Sequence, residues 1–312
     1  MIRLYTDPRM IAHRPPPGHP ERPERLRDVI RHLERTGLSK SCEAGAVRPA
    51  TDAELLRVHT PAHLAEIASW RDSPTAQIEA DTWMSTGSEL AARLAAGAVI
   101  DAVGSVVTGQ SKRAFCAVRP PGHHARPGGA MGFCLYASVA AAAADALERH
   151  GLNRVLIVDW DVHHGNGTQE IFYDDPRVAF LSLHRSPFYP GTGDADETGT
   201  GRGLGWTKNV PLPLGVPRAD YLAVFASALD ELADRARPDL ILISAGFDAH
   251  AEDPVGSLGL EVEDFVAMTE RVGQVADTHC GGRVVSVLEG GYNIPILCGC
   301  VEAHLKALGG GG

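Results

Sequence analysis

The stretch LIVDWDVHHGNGT, residues 156–168, joins a short apolar run to two aspartates and two histidines. An apolar run of this length is typical of a strand buried on both faces of a parallel sheet. Asp161 and His163 follow the run at a spacing of two, so an extended backbone would point both side chains to the same side. The sequence therefore predicts a buried strand that presents ionisable groups at its carboxyl end.

Apolar segments of this kind alternate with amphipathic segments along the chain. The predicted strands are residues 114–119, 155–160, 178–183, 240–245 and 283–288. The predicted helices are residues 22–36, 88–103, 137–150, 219–236 and 261–279. Strands that alternate with helices indicate an α/β fold, with a parallel sheet covered by helices on both sides. No repeat, linker or break in composition divides the chain, so we predict a single domain over residues 1–312.

The composition narrows the class of protein. The chain has 312 residues, of which 44% are apolar and 22% charged, and its formal net charge is −10. We find no unbroken apolar run that would span a bilayer and no leader after Met1. The negative charge argues against nucleic-acid binding. The six cysteines form no CxxC pair, which favours reduced thiols. We expect a cytoplasmic protein that binds neither nucleic acid nor membrane, with homo-oligomers left open.

Polar side chains follow four of the predicted strands, at the edge where parallel sheets bind ligands. They are His123 and His124 after 114–119; Asp159, Asp161 and His163 after the apolar residues 155–158; Asp248 after 240–245; and Tyr292 after 283–288. Each alone has an ordinary structural explanation, such as a helix cap. Burying them together without a metal ion would cost on the order of several kcal/mol. We therefore expect a bound cation at this edge.

The residue types favour catalytic zinc, which takes about three protein ligands from histidine and carboxylate. Asp161, His163 and Asp248 supply such a set. The histidine pair is then free for proton transfer, and Tyr292 can donate to a developing oxyanion. Metal ligands, a proton-transfer group and an oxyanion donor are the groups that metal-assisted amide hydrolysis requires.

Other chemistries fit the sequence less well. It contains no GxSxG elbow and no HExxH helix, which argues against serine and thermolysin-like hydrolases. The glycine-rich stretch 199–205 precedes an extended segment and not a helix, so we expect a loop and no phosphate site. His164, His184 and His250 have no place in a three-ligand set, and we predict structural roles for them.

The motifs RPPGHHA, MGFC, DWDVHHGNGTQ, SLHRSPFYPGTG, SAGFDAH and EGGY, in this order, resemble the zinc-dependent histone deacetylase family. The likeness is to its class II-like, bacterial-type amidohydrolases, and it runs from PPPGHPERPERL near the start to EGGY near the end. It implies the arginase/deacetylase fold, a single α/β domain with a central eight-stranded parallel sheet. It also implies Asp161, His163 and Asp248 as the zinc ligands.

The resemblance assigns the proton chemistry as well. His124 would be the general base and acid, with His123 as its electrostatic partner and Tyr292 as the group that polarises the acetyl carbonyl. Asp159 would orient His123, and Asn166 would orient His124. An amide at position 166, where some members have Asp, should leave His124 less basic.

A narrow tunnel for the acyl-lysine stem is also implied. Phe133 and Tyr189 would form its walls, Gly132 its floor and Val255 its mouth. The family usually has Phe where Tyr189 stands, so this wall would be slightly more polar. Its polyamine-selective branch has Glu at the position of Val255.

Two potassium sites are implied by the same resemblance. The inner site would use Asp159, Asp161, His163, Ser182 and Leu183, largely through main-chain oxygens. The second site would use Phe172, Asp175, Val178 and Trp206. Potassium is therefore an expected structural ion.

Together these observations predict zinc-dependent hydrolysis of an N-acetyl amide, of the acetyl-lysine type or another acylated amine, to acetate and a free amine. One alternative is an acetylpolyamine amidohydrolase, which shares every catalytic motif. Another is a non-catalytic binder of acylated ligands, against which Tyr292 argues. An arginase-type dimanganese hydrolase would need more carboxylates than the sequence provides.

Overall fold

A computed structural model describes residues 2–310, so Met1, Gly311 and Gly312 of the predicted domain lie outside the described residues. The strands, in chain order, are β1 (Ile2–Tyr5), β2 (Glu43–Ala44), β3 (Thr75–Gln77), β4 (Trp83–Ser85), β5 (Arg113–Cys116), β6 (Val155–Asp159), β7 (Val178–Arg185), β8 (Thr207–Leu212), β9 (Leu240–Ala245) and β10 (Val284–Leu288). Eight of them form one parallel sheet in the order β2-β1-β5-β10-β9-β6-β7-β8. Strands β3 and β4 form a separate antiparallel hairpin.

Helices cover the sheet. They are α1 (Glu24–Arg35), α2 (Leu38–Ser41), α3 (Asp52–Leu55), α4 (Pro61–Ser69), α5 (Ser88–Val107), α6 (Ser138–Glu148), α7 (Asn166–Phe172), α8 (Arg218–Ala236), α9 (Val262–His279) and α10 (Ile294–Leu308). The architecture is the single α/β domain with an eight-stranded parallel sheet that the sequence predicted.

The predicted elements are all present, with shifted ends. The strand predicted over 114–119 ends at Cys116, because the chain turns toward Pro120 and the Arg119 side chain pairs with the buried Glu21 at 2.6 Å. Strand β7 continues to Arg185, two residues beyond the prediction. The extended segment after the glycine-rich stretch is β8, an edge strand that tolerates Pro211.

Three strands of the main sheet, both strands of the hairpin and one long helix were not among the predicted strands and helices. Strands β1 and β2 have four and two residues, too few for a period to be read. Strand β8 is only partly buried and lacks an unbroken apolar run. Helix α10 follows β10 after a short loop, and its cysteines and glycine obscured the helical period.

The strand order explains where the site forms. Strands β5, β10, β9 and β6 are neighbours, and these are the four strands that precede the polar motifs. Every residue of β6, β9 and β10 is buried, so burial fixes the strands rigidly. Asp159 pairs in register with Ser244, and Leu288 with Ala245. The loops that follow therefore meet at one edge.

Helix α5 is long and apolar enough to cross a membrane by length and composition, although Arg93 and Asp101 interrupt it. In the fold, 72% of its apolar window is buried. It packs against α6 and β5, as a core helix of a folded domain does.

Two glycines of α5 test this packing. Alanine in place of glycine in a helix gains about 1 kcal/mol of intrinsic propensity. A Cβ at Gly97 would lie 2.0 Å from the backbone oxygen of Arg48, and such overpacking costs about 1 to 3 kcal/mol. A Cβ at Gly104 would meet nothing closer than 3.5 Å. We expect Gly97→Ala to lower the free energy of unfolding and Gly104→Ala to raise it, as measured by urea unfolding. Equal stabilisation by both would contradict the packing described for α5.

Candidate functional site

A buried group of three potential metal ligands lies at the carboxyl edge of the sheet. The ligand atoms of Asp161, His163 and Asp248 all lie within 4.8 Å of one another. Asp161 and His163 follow β6, and Asp248 follows β9. His163 Nδ1 lies 3.0 Å from Asp161 Oδ1 and 3.2 Å from Asp248 Oδ2. Among residues 2–310 this is the one group of histidine, cysteine or carboxylate side chains with such spacing.

Backbone amides hold the two carboxylates in place. Gly290 N donates to Asp161 Oδ2 at 2.8 Å, and Val162 N donates to Asp248 Oδ1 at 2.9 Å. The other oxygen, Asp248 Oδ2, is buried and makes no well-formed hydrogen bond beyond its 3.2 Å contact with His163 Nδ1, which is costly unless a cation binds it. A Cβ at Gly290 would lie 2.1 Å from that oxygen, so only glycine leaves the space open. One nitrogen and two carboxylates fit a divalent ion such as zinc.

Without a metal ion, the surroundings raise the pKa values of two of the three ligands, so protons occupy the positions where a cation would bind. Burial opposes the charge on His163, but hydrogen bonds to Asp161 and Asp248 outweigh it and raise the pKa of His163 to about 9. Burial, together with the charge of Asp161, raises the pKa of Asp248 to about 7. Uptake of a metal ion at this group would therefore displace protons.

The two histidines of the PPGHHA loop lie beside this group, each bound to its own oxygen. His123 donates from Nδ1 to Asp159 Oδ2 at 2.9 Å, and His124 donates from Nδ1 to Asn166 Oδ1 at 2.7 Å. Their ring centroids are 4.0 Å apart, and the His124 centroid is 5.8 Å from that of His163. Because Nδ1 of each ring is used in these bonds, Nε2 is the nitrogen that remains for proton transfer or for another contact.

The environments push the pKa values of the two histidines apart. Burial and the neighbouring His123 and His163 hold the pKa of His124 well below its ordinary value. Burial also disfavours the charge on His123, but Asp161 and Asp159 outweigh it and raise the pKa of His123 well above its ordinary value. These shifts favour the neutral form of His124, which can accept a proton, and the charged form of His123.

Aromatic rings and one glycine surround His124. The ring of Tyr189 stands perpendicular to that of His124, with centroids 5.2 Å apart. A Cβ at Gly132 would lie 2.3 Å from His124 Cδ2, so the backbone of this residue packs against the imidazole. The Phe133 ring contacts Tyr292 edge to face at 5.9 Å. The residues of the predicted tunnel therefore lie against His124 and Tyr292, and the tunnel itself stays a prediction.

Tyr292 follows β10 and is 7% exposed. The Arg25 guanidinium lies 4.9 Å from its ring centroid. Burial raises the pKa of the phenol well above its ordinary value, and the Arg25 charge offsets this only in part. The hydroxyl therefore keeps its proton and is available as a hydrogen-bond donor.

The remaining predicted residues lie where their motifs put them. Val255 is half-buried in the loop after β9, and its N–H donates to Asp253 Oδ1 at 2.9 Å. Ser182 pairs in register with Asp159, next to Leu183. The residues of the predicted second potassium site lie between the end of α7 and the start of β7, and directly before β8; they are Phe172, Asp175, Val178 and Trp206. Potassium binding itself stays a prediction.

Three other histidines lie outside the metal group, in buried networks of their own. His164 contacts Thr192 Oγ1 at 2.8 Å and Gln169 Oε1 at 3.0 Å. His184 contacts Ser182 Oγ at 3.0 Å. His250 Nδ1 accepts from a backbone amide at 3.1 Å. Their ring nitrogens are used within the protein.

Several residues that support the site were missed from the sequence. Glu289 is buried and accepts from Gly122 N at 2.7 Å, which fixes the loop of the histidine pair; burial raises the pKa of Glu289 to about 7. Phe188 stacks on His163 at 5.2 Å. The sequence could have indicated Glu289, because it begins the EGGY motif. It could not have indicated Asp253, which binds the Tyr292 amide, because an Asp-Pro pair predicts only a turn.

Comparison with known proteins places these motifs in a family. The chain matches the histone deacetylase domain over residues 19–308. It is 40% identical to the histone deacetylase-like amidohydrolase of Pseudomonas aeruginosa, covering 94% of this chain and 77% of that protein. It is also 40% identical to the human polyamine deacetylase HDAC10 over 92% of this chain, and it spans 44% of that longer protein.

A solved structure agrees with this match. The crystal structure of the HDA15 HD domain superimposes with a TM-score of 0.94 at 40% identity, covering 99% of this chain and 88% of that one. The likeness extends over the sheet and over the loops that carry the site. The chain therefore belongs to the histone deacetylase family.

Proposed function

We propose that this protein is a zinc-dependent deacetylase that hydrolyses N-acetyl amides of the acetyl-lysine type to acetate and a free amine. The observation that carries the proposal is the buried group of Asp161, His163 and Asp248 beside His124, whose pKa lies well below its ordinary value. Membership of a family of deacetylases and amidohydrolases supports the reaction class.

The three ligands would hold the ion through carboxylate oxygens and His163 Nδ1. A bound zinc ion supplies Lewis-acid polarisation of the amide carbonyl and acidifies water. His124 takes a proton from the attacking water through Nε2, since its Nδ1 is bonded to Asn166. It then gives that proton to the amine nitrogen as the C–N bond breaks. Tyr292 donates from its hydroxyl to the acyl oxygen, where negative charge develops.

The aromatic side chains predicted to wall the tunnel would suit a substrate with an aliphatic stem. The rings of Phe133 and Tyr189 lie near Tyr292 and His124 respectively. Aromatic faces bind methylene groups well and exclude water from the reacting carbonyl. A lysine stem of four methylenes has this character.

An acetylpolyamine substrate is the second candidate, favoured by the likeness to the human polyamine deacetylase HDAC10. A polyamine carries a second ammonium, which a carboxylate at the tunnel mouth would attract. Val255 offers no charge there, and for this reason we prefer the acetyl-lysine type. A dimanganese hydrolase is disfavoured, because residues 2–310 provide one group of metal ligands. A non-catalytic binder is disfavoured because both His124 and Tyr292 are present.

Zinc affinity should depend on pH through the ligands. Because the pKa of metal-free His163 is about 9, binding at neutral pH releases its proton, and affinity should rise about tenfold per pH unit from 7 to 9. Asp248, with a pKa of about 7, should steepen the rise below that pH. Competition with a chromogenic chelator measures the affinity, and the same chelator should abolish activity until zinc is restored. Activity in protein that elemental analysis finds free of metal would contradict the proposal.

Loss of the Tyr292 hydroxyl should lower turnover without loss of metal. We expect Tyr292→Phe to reduce kcat on a fluorogenic acetyl-lysine amide by about a hundredfold or more, because one oxyanion donor is removed. His124→Ala should be at least as damaging. Tyr136→Phe is the matched control, since its hydroxyl is buried and has no hydrogen-bond partner. Wild-type rates in both site variants would show that these roles are wrong.

Val255→Glu should shift substrate preference toward polyamines. A carboxylate in a partly desolvated mouth can attract a second ammonium by about 1 kcal/mol, and less where water enters. We expect the ratio of kcat/KM for acetylspermidine to that for acetyl-lysine peptide to rise in this variant, but not in the neutral control Val255→Gln. If Val255→Glu left the ratio unchanged, or if the wild-type protein preferred acetylpolyamines, Val255 would not determine the substrate preference.

A further inference from the structure

Asp253 lies in the loop between β9 and α9 and has no part in the chemistry described above. Its side chain is 8% exposed. Oδ1 accepts from Val255 N at 2.9 Å and from Gly256 N at 3.0 Å. Oδ2 accepts from Tyr292 N at 2.7 Å and from Asn293 N at 3.3 Å. A single carboxylate therefore accepts four backbone hydrogen bonds.

The two oxygens serve different purposes. The Oδ1 bonds reach residues two and three positions ahead, which is the local pattern of an Asx turn. The Oδ2 bonds join Asp253 to residues 39 and 40 positions away, in the loop after β10. The turn needs only Oδ1. The bonds from Oδ2 are an additional connection, made to the backbone of Tyr292.

Other contacts hold the residues before Tyr292, whereas the amides of Tyr292 and Asn293 are bound by Asp253. Two glycines precede it, and Gly291 has φ +120°, in a region of backbone conformation that glycine alone adopts readily. Arg25 holds this segment from one side, donating from Nε to Gly291 O at 2.7 Å. The contacts of the Tyr292 ring with Arg25 and Phe133 fix no hydrogen-bond direction for its hydroxyl.

We propose that Asp253 is a positioning residue for catalysis, anchoring the Tyr292 amide so that the phenol hydroxyl faces the metal group. The inference rests on the proposed role of Tyr292 as oxyanion donor. Hydrogen bonds from backbone amides to a carboxylate are stronger than neutral ones, and a misplacement of about 1 Å at a reacting centre can cost on the order of a hundredfold in rate. Asp253 acts through Tyr292 and touches no reacting atom.

Two substitutions separate the two oxygens. A serine hydroxyl can accept within the local turn but is too short to reach the Tyr292 amide, so Asp253→Ser removes the connection and keeps the turn. Asp253→Asn keeps one acceptor oxygen and replaces the other with an NH2 group, which is a donor and cannot accept from the backbone amides that face it. It serves as the second variant where the serine protein fails to fold. Asp239→Asn is the matched control, because Asp239 Oδ2 also accepts two backbone amides from another loop, at the opposite end of the sheet.

The test is a double-mutant cycle on zinc-loaded protein with acetyl-lysine peptide. We expect Asp253→Ser to lower kcat by about ten- to a hundredfold, with little change in KM or zinc content, and to have no further effect in the Tyr292→Phe background. Asp239→Asn should leave kcat unchanged in both backgrounds. An equal loss in both Tyr292 backgrounds, or wild-type kcat in Asp253→Ser, would overturn the proposal.

A crystal structure of Asp253→Ser gives a readout that does not depend on activity. We expect the Tyr292 ring to occupy a different position from the one in a wild-type crystal structure solved alongside, while Val255 and Gly256 keep their turn. A ring unmoved from the metal group would overturn the positioning role. Absence of any amide hydrolysis by the wild-type protein would instead count against the proposed function, and the ring position would still decide for Asp253.

Discussion

The cost of burying charge at the carboxyl edge of four adjacent strands is the constraint on which the rest of the structure depends. Asp159, Asp161 and Asp248 are each at most 1% exposed, and their mutual repulsion is answered by backbone amides, by histidines and by the space left for a cation. Buried carboxylates that lack such partners would destabilise the fold. The strands that present them are buried throughout, so the ligands cannot relax toward water. The rigidity of the three ligands and the proposed metal affinity would thus have the same origin.

The same constraint differentiates two adjacent histidines. Burial disfavours the charge on both rings. Asp161 and Asp159 outweigh it and raise the pKa of His123, whereas burial and the charge of His123 lower the pKa of His124, which is bonded to the neutral amide of Asn166. A carboxylate in place of Asn166 would favour the charged form of His124. The neutral oxygen of Asn166 orients the ring and raises the pKa of His124 less than a carboxylate would. Sequence adjacency therefore gives two groups of opposite protonation, which is what a proton-transfer pair requires.

The sequence predicted the parts of the fold and of the site that leave a local pattern. Long buried strands such as β6 and β9, and the clustered residues DWDVHH and GFDAH, carry their own period or spacing. Strands β1 and β2 are too short to have one, and α10 contains two buried cysteines separated by a glycine. Asp253 and Glu289 act through backbone amides of distant loops. Contacts of that kind depend on strand order, which no local pattern contains.

The central claim is that Asp161, His163 and Asp248 form one zinc site. Anomalous X-ray scattering from zinc-loaded crystals, recorded on both sides of the zinc absorption edge, tests it most directly. The account predicts a single strong anomalous peak at about 2.0 to 2.2 Å from His163 Nδ1 and from one oxygen of each aspartate. A strong peak elsewhere, or no peak between these three side chains, would contradict it.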